Sequence, residues 1–411
     1  MCTDTPAVLT EHAPVLESDA PMYPEPARSS IDGQILERAR RAAAEIAPRA
    51  HEIEAARRLP PAVVDALVQA GVFKLLVPRA HGGAEASLAT LMAVLDEIAA
   101  ADGSAGWCAM IGASSGLMCG FLPDDVAREV YGPDGAITCG VFAPMGRAVP
   151  VAGGFRVSGR WTFASGCQHS TWCMGSAIVT GDGAGEVSPG GAPDVRCMLF
   201  HVSEIRIIDT WDTSGLRGTG SHDFVADDVL VPAGRSFSLL GSRHALAAYR
   251  SAFFGGLAAG VAAVALGIAR AAIDAFVALA RDKRPAGSRR SIAHRELTQL
   301  SIARAEARVR AARAFLLDAV ETAAAASATG EATIEQRALL RLAACHAATE
   351  AASAVDLVYE AGGGSSIYAT SPLQRCFRDV HTATQHVMVG SAAATQVGRI
   401  LLGVESDLST L

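Results

Sequence analysis

Aromatic side chains are scarce. Phe, Trp and Tyr make up 5% of the 411 residues, so the 50% apolar share rests on alanine and small aliphatics. That composition argues against a core built on bulky rings and for helices packed at short distance. There is no basic excess either: the net charge is -7 and the arginines are scattered. Such a chain has no field to attract phosphate backbones, and nucleic acid is not an expected partner. The nine cysteines are an odd set without a CxxC pair, which reads as reduced, mostly buried thiols of a cytoplasmic protein. Residues 1–30 lack the basic and apolar regions of a signal peptide and read as a flexible leader. No GxGxxG or GxxxxGK[ST] occurs, so the chain has no recognisable site of its own for a nicotinamide nucleotide or ATP. The stretch GLRGTGS, 215–221, has the spacing GxxGxG and precedes a strand-like run, which rejects a dinucleotide fingerprint.

Apolar residues at spacings of three and four make residues 31–135 a helical domain, with Pro60-Pro61 opening one helix and Gly71 closing it. Across 136–238 the period shortens to the alternation of strands, separated by Gly, Pro and Asp turns. These predict a small antiparallel β domain, with 181–194 as a surface hairpin loop. From 239 to 411 long Ala-rich helices return, broken at DKRPAGSRRS, SATGEAT and AGGGSSIYATSP, which predicts a four-helix bundle. The uncharged run 252–269 is long enough to span a bilayer, but its Ala/Gly content favours a buried helix in a protein without a membrane role.

The segment RDVHTATQHVMVG, 378–390, contains two histidines and no glutamate. On a continuous helix His381 and His386 would stand roughly 140° apart, a poor metal pair. No metal site is expected.

Together with these patterns, ADGSAGW, GRWTFASGC, WDTSGLRGTGS, DDVLVP and PLQRCFRDVHTATQH resemble the acyl-CoA dehydrogenase superfamily across nearly the whole chain. The likeness is greater to its two-component, reduced-flavin-dependent monooxygenase branch. The resemblance implies a mostly α fold with a central β domain: an N-terminal helical domain, a small antiparallel β-barrel or sandwich, and a C-terminal four-helix bundle. It also implies FMN or FAD, delivered reduced by a separate NAD(P)H:flavin reductase, a C4a-hydroperoxyflavin, oxygenation of an aromatic or heteroaromatic small molecule, and a homotetramer.

In the dehydrogenases of the family a glutamate abstracts a proton from the acyl thioester. Alignment puts Val387 in its place, residues 229–273 carry no Asp or Glu, and Glu360 is the nearest remaining acid. A dehydrogenase with a relocated base is the alternative. Carried over by resemblance, Ser165 faces flavin N5 and His386 faces the isoalloxazine and substrate. The strand bearing Cys139, Val141 and Phe142 supplies main-chain groups to the ring edge, and Arg281, Arg284 or Arg289 reaches the phosphate across a subunit interface. Phenol hydroxylases of the branch carry a histidine beyond the DGSxxW helix; here Ser114 and Ser115 stand there, so a phenolate substrate is in doubt. Trp107 and Met110 would wall the substrate pocket.

Overall fold

Asp32 starts the first helix because its Oδ1 accepts the N–H groups of Gln34 and Ile35 at 2.9 and 3.0 Å, satisfying donors that no helical carbonyl can reach. The helix α1, Gly33–Ile46, then buries Ile35, Ala39, Ala42 and Ile46 as one stripe. The computed structural model describes residues 30–181, 193–239, 253–408 and 411. All but the last residue of the expected leader, and most of the expected 181–194 loop, lie outside the described residues.

Helices α2, Ala50–Ala56, and α3, Pro61–Gln69, follow, and α3 opens on Pro61. The apolar stretch 88–115 is two helices, α4, Leu88–Ala101, and α5, Gly103–Ser115. Asp102 leaves helical geometry between them, with φ -159°, and caps α5 by accepting Ala105 N–H at 2.9 Å. A short α6, Asp124–Tyr131, leads into the sheet.

The strands are β1, Thr138–Val151; β2, Gly154–Ala164; β3, Trp172–Val179; β4, Val195–His201; β5, Arg206–Ile208; β6, His222–Pro232; and β7, Ser236–Phe237. They form one sheet in the order β5-β6-β2-β1-β3-β4-β7. The expectation of an antiparallel sheet holds for every pair except β1 and β3, which run parallel. The cause is the link 165–171: β2 folds back along one edge of β1, and the link crosses the end of β1 to start β3 on its other edge. Alternating residues look the same in both orientations, so the sequence pattern carried no sign of this crossing.

The C-terminal region consists of α7, Phe253–Asp282; α8, Glu296–Thr329; α9, Ile334–Gly362; α10, Pro372–Ala383; and α11, Ser391–Leu401. Helix α9 packs against both α7 and α8, and α10 packs against α7 and α9. The fourth position of the bundle is held by two short helices joined by a turn. Among the described residues α7 alone is long and apolar enough to cross a membrane, with mean hydropathy 1.9, and 67% of that window is buried inside the protein. Its small residues admit α4 at close range: a Cβ on Gly267 would lie 2.4 Å from the Asp96 carbonyl oxygen. One apolar core runs continuously through α1, α4, α5, α7, α8 and α9.

Candidate active site

Where the helices meet the sheet, α5, β1, the link after β2, the 211–221 loop, α7 and α10 enclose a cavity of about 980 Å³. That is the size of a site for a large cofactor with a small ligand. No Asp or Glu is among the described residues lining it.

Ser165 enters the cavity wall through the crossing link. Phe163 adopts a left-handed conformation, φ 63°, at a register shift in β2, and Ser165 N–H donates back to its carbonyl at 2.9 Å. Gly166 N–H donates to the Thr219 carbonyl at 3.0 Å, locking the link to the GLRGTGS loop. The buried Ser165 Oγ lies 3.0 Å from Trp107 Nε1, which donates to it, and 2.7 Å from Ser221 Oγ. Ser221 Oγ in turn sits 2.7 Å from Thr219 Oγ1, which donates to the Leu216 carbonyl at 2.8 Å. Thr219 and Ser221 line the cavity and were not singled out in the sequence. Their signal was the pair of hydroxyls in GTGS immediately before a strand.

Helix α10 ends at Ala383, so His386 lies in a turn rather than on the helix. This corrects the helical phase expected between the two histidines, and both line the cavity. Arg341 holds the turn by donating to the Met388 carbonyl at 3.0 Å. Met388 N–H donates to His386 Nδ1 at 3.3 Å, which leaves Nε2 as the protonated nitrogen of the neutral ring. Burial, with the Arg341 charge adding to it, lowers the His386 pKa to about 4. The His386 ring meets Trp107 edge to face, with centroids 5.5 Å apart, so one indole touches both Ser165 and His386. His381 bonds Asp356 through Nε2 at 2.8 Å and packs on Phe377. Val387 lies at the cavity with 74% of its surface exposed.

One face of α5 supplies Trp107, Met110, Ser114 and Ser115 to the wall. Ser115 is occupied: it bonds the Gly112 carbonyl at 2.6 Å and the Thr138 hydroxyl. Ser114 differs, being buried with its Oγ unpartnered among the described residues. Opposite, β1 contributes Cys139, Val141 and Phe142. Its register against β3 jumps from Val141 to Pro144, so Phe142 and Ala143 have no ladder partner there and their main-chain groups are available to a ligand. This bulge, the cavity's size and its hydroxyls fit a flavin ring edge.

Arg281, Arg284 and Arg289 are exposed in and beside the α7–α8 connection and do not line the cavity of their own chain. Arg378 pairs with Glu54 and donates to Ser214, not to its neighbour Asp379. Asp379 is buried and accepts Leu216 N–H at 2.6 Å, anchoring the loop that carries Thr219 and Ser221. Burial, with the nearby Asp102 carboxylate, raises its pKa to about 7. Burial raises Asp102 to about 6.

Residues 32–123 match the family "Acyl-CoA dehydrogenase, N-terminal domain" and residues 259–391 match "Acyl-CoA dehydrogenase, C-terminal domain". Indole-3-acetate monooxygenase of Pseudomonas putida is 36% identical over 86% of this chain and 90% of its own. The oxygenase component of the FADH2-dependent resorcinol hydroxylase of a Rhizobium strain is 30% identical over 94% and 98%. The solved structure of XiaF from Streptomyces, in complex with FADH2 and glycerol, superposes with a TM-score of 0.83 at 28% identity, covering 92% of this chain and 97% of that one. These matches, over most of the chain and of its relatives, place it: the chain belongs to the acyl-CoA dehydrogenase family, in its branch of flavin-dependent monooxygenases.

Proposed function

We propose that the protein is the oxygenase component of a two-component system. It takes FMNH2 or FADH2 from a separate NAD(P)H:flavin reductase and, with O2, oxygenates an aromatic or heteroaromatic small molecule. The observation that carries this reading is the convergence of Ser165, Trp107 and His386 on a cavity lined, among the described residues, by no Asp or Glu. A proton-abstracting dehydrogenase lacks its base there. When bound, reduced flavin supplies the electrons that activate O2. Ser165 would hydrogen-bond flavin N5, the β1 bulge at Cys139, Val141 and Phe142 would meet the ring edge, and Arg281, Arg284 or Arg289 of a second copy would hold the phosphate. Neutral His386 would donate through Nε2 to the activated oxygen or to the substrate. Met110, Phe142, Leu257 and Val261 line the apolar wall that excludes water.

Ser114 is the natural anchor for substrate. A buried hydroxyl with no partner among the described residues favours a ligand that brings a hydrogen-bonding group to it. It lies seven residues along α5 from Trp107, about 10 Å by helical rise, which suits a ring system of one or two fused rings. The substrates named for the relatives, indole-3-acetate and resorcinol, are of that size. The eight described cysteines, all free and buried, support a cytoplasmic location.

Purified protein with a flavin reductase, NADH and oxygen should convert at least one member of an indole and phenol panel to a product one oxygen heavier. Uncoupled peroxide formation across the whole panel, with anaerobic bleaching of bound flavin by an acyl-CoA, would favour the dehydrogenase instead.

A further inference from the structure

We propose that Thr219 and Ser221 fix the Ser165 hydroxyl as a hydrogen-bond acceptor and thereby make the site select reduced over oxidised flavin. The inference rests on the flavin reading above and adds two positioning residues to it.

The direction of the chain follows from its ends. The Trp107 indole can only donate, and the Leu216 carbonyl can only accept. Between them stand three hydroxyls, each with one proton. Thr219 spends its proton on Leu216, so it must accept from Ser221. Ser221 has then spent its own, so it must accept from Ser165. Ser165 therefore donates to Ser221, accepts from Trp107, and has one lone pair left and no free proton. All three hydroxyls are buried, so water does not readily replace a lost partner.

Reduced flavin carries a hydrogen on N5 and can donate to that lone pair, whereas oxidised flavin presents a lone pair of its own at N5. To donate to oxidised N5, Ser165 must take its proton from Ser221. Either the Ser165–Ser221 bond is lost, or both remaining hydroxyls reverse and the bond to Leu216 is lost. The loss of one buried hydrogen bond corresponds to a preference of about tenfold. Asp379 supports the arrangement from behind, since it holds the Leu216 backbone that terminates the chain.

The test is equilibrium titration of the full-length protein with FMN and FAD, oxidised in air and reduced under anaerobic conditions, reading the ratio of the two dissociation constants. Ser221→Ala and Thr219→Val should each lower that ratio about tenfold, and Thr219→Ser should retain it. Placed on a Ser165→Ala background, Ser221→Ala should have no further effect on the ratio, because its influence passes through Ser165. A general packing defect would persist on that background. Unchanged ratios in Ser221→Ala and Thr219→Val, or an equal effect with and without Ser165, would overturn the inference while leaving flavin binding intact. Wild-type protein that binds flavin in neither redox state would overturn the flavin reading along with it.

Discussion

His386 acquires its chemistry from three neighbours. Met388 N–H occupies Nδ1, Trp107 packs against the ring, and Arg341 lies close enough to disfavour a second positive charge. With its pKa lowered to about 4, the imidazole is neutral throughout the physiological range and acts as an Nε2–H donor rather than as an acid that titrates near pH 7. Two outcomes follow. The pH profile of kcat/KM should show no limb near pH 6.5 from this group, and NMR titration of the ring should find its midpoint near 4. His386→Ala should lower kcat about 10²-fold, within the usual range for a positioned proton donor, and His386→Gln, which keeps a neutral N–H, should recover part of that. The linkage has a definite sign. A histidine whose folded pKa lies below its unfolded value stabilises the fold above about pH 6.5, and that contribution is lost as pH falls toward 4.

The 211–221 loop and α10 are held together by Asp379, and this contact has a pH signature opposite to that of His386. Asp379 and Asp102 are both buried, with pKa values raised to about 7 and about 6 from a usual 3.8, burial being the larger cause and Arg375 opposing it. At these two carboxyls the folded chain therefore binds more protons than the unfolded one between about pH 4 and 7, and their contribution to stability falls as pH rises through that window. Asp379→Asn keeps an acceptor for Leu216 N–H, so in urea unfolding between pH 5 and 8 the stability of the wild type relative to that variant should decline by an amount on the order of 1–3 kcal/mol, the opposing rise from His386 being common to both. This anchor also marks where sequence reading stopped. The order of helices, strands and helices and the three breaks in the C-terminal region were legible, because periodicity and turn motifs are local; Ser165, Trp107, Ser114 and His386, which line the cavity, were reached only through the resemblance to the family. The parallel β1–β3 pair, the end of α10 before His386, and the partnership of Thr219 and Ser221 with Ser165 were not legible. Each depends on contacts between segments far apart in the chain: 56 residues separate Ser165 from Ser221, and 163 separate Asp379 from Leu216.

The single chain encloses the ring-sized part of its cavity but leaves its candidate phosphate-binding arginines outside. Arg281, Arg284 and Arg289 flank or sit in the α7–α8 connection, exposed and away from the cavity wall. Close by in sequence, Leu297 and Leu300 open α8 with 78% and 45% of their surface exposed, and one helical turn places them on the same face. Leu401 and Leu402, at 73% and 81%, add exposed apolar surface at the end of α11. The Leu297–Leu300 face, which follows the basic loop in sequence, fits a contact with another copy of the chain better than it fits solvent. With the homotetramer that the family resemblance implies, light scattering should give the mass of four 42.3 kDa chains. Leu297→Glu combined with Leu300→Glu would place two charges in that contact and should dissociate the assembly. If an arginine of the neighbouring copy binds the flavin phosphate, dissociation should weaken affinity for FMNH2 and FADH2 at least tenfold, a loss in the range of a hydrogen bond to a charged group. Riboflavin, which has no phosphate, should bind the dissociated chain as well as it binds the assembly. A monomeric wild type with full affinity for FMNH2 would remove the need for a second copy and return the phosphate site to the chain's own cavity mouth.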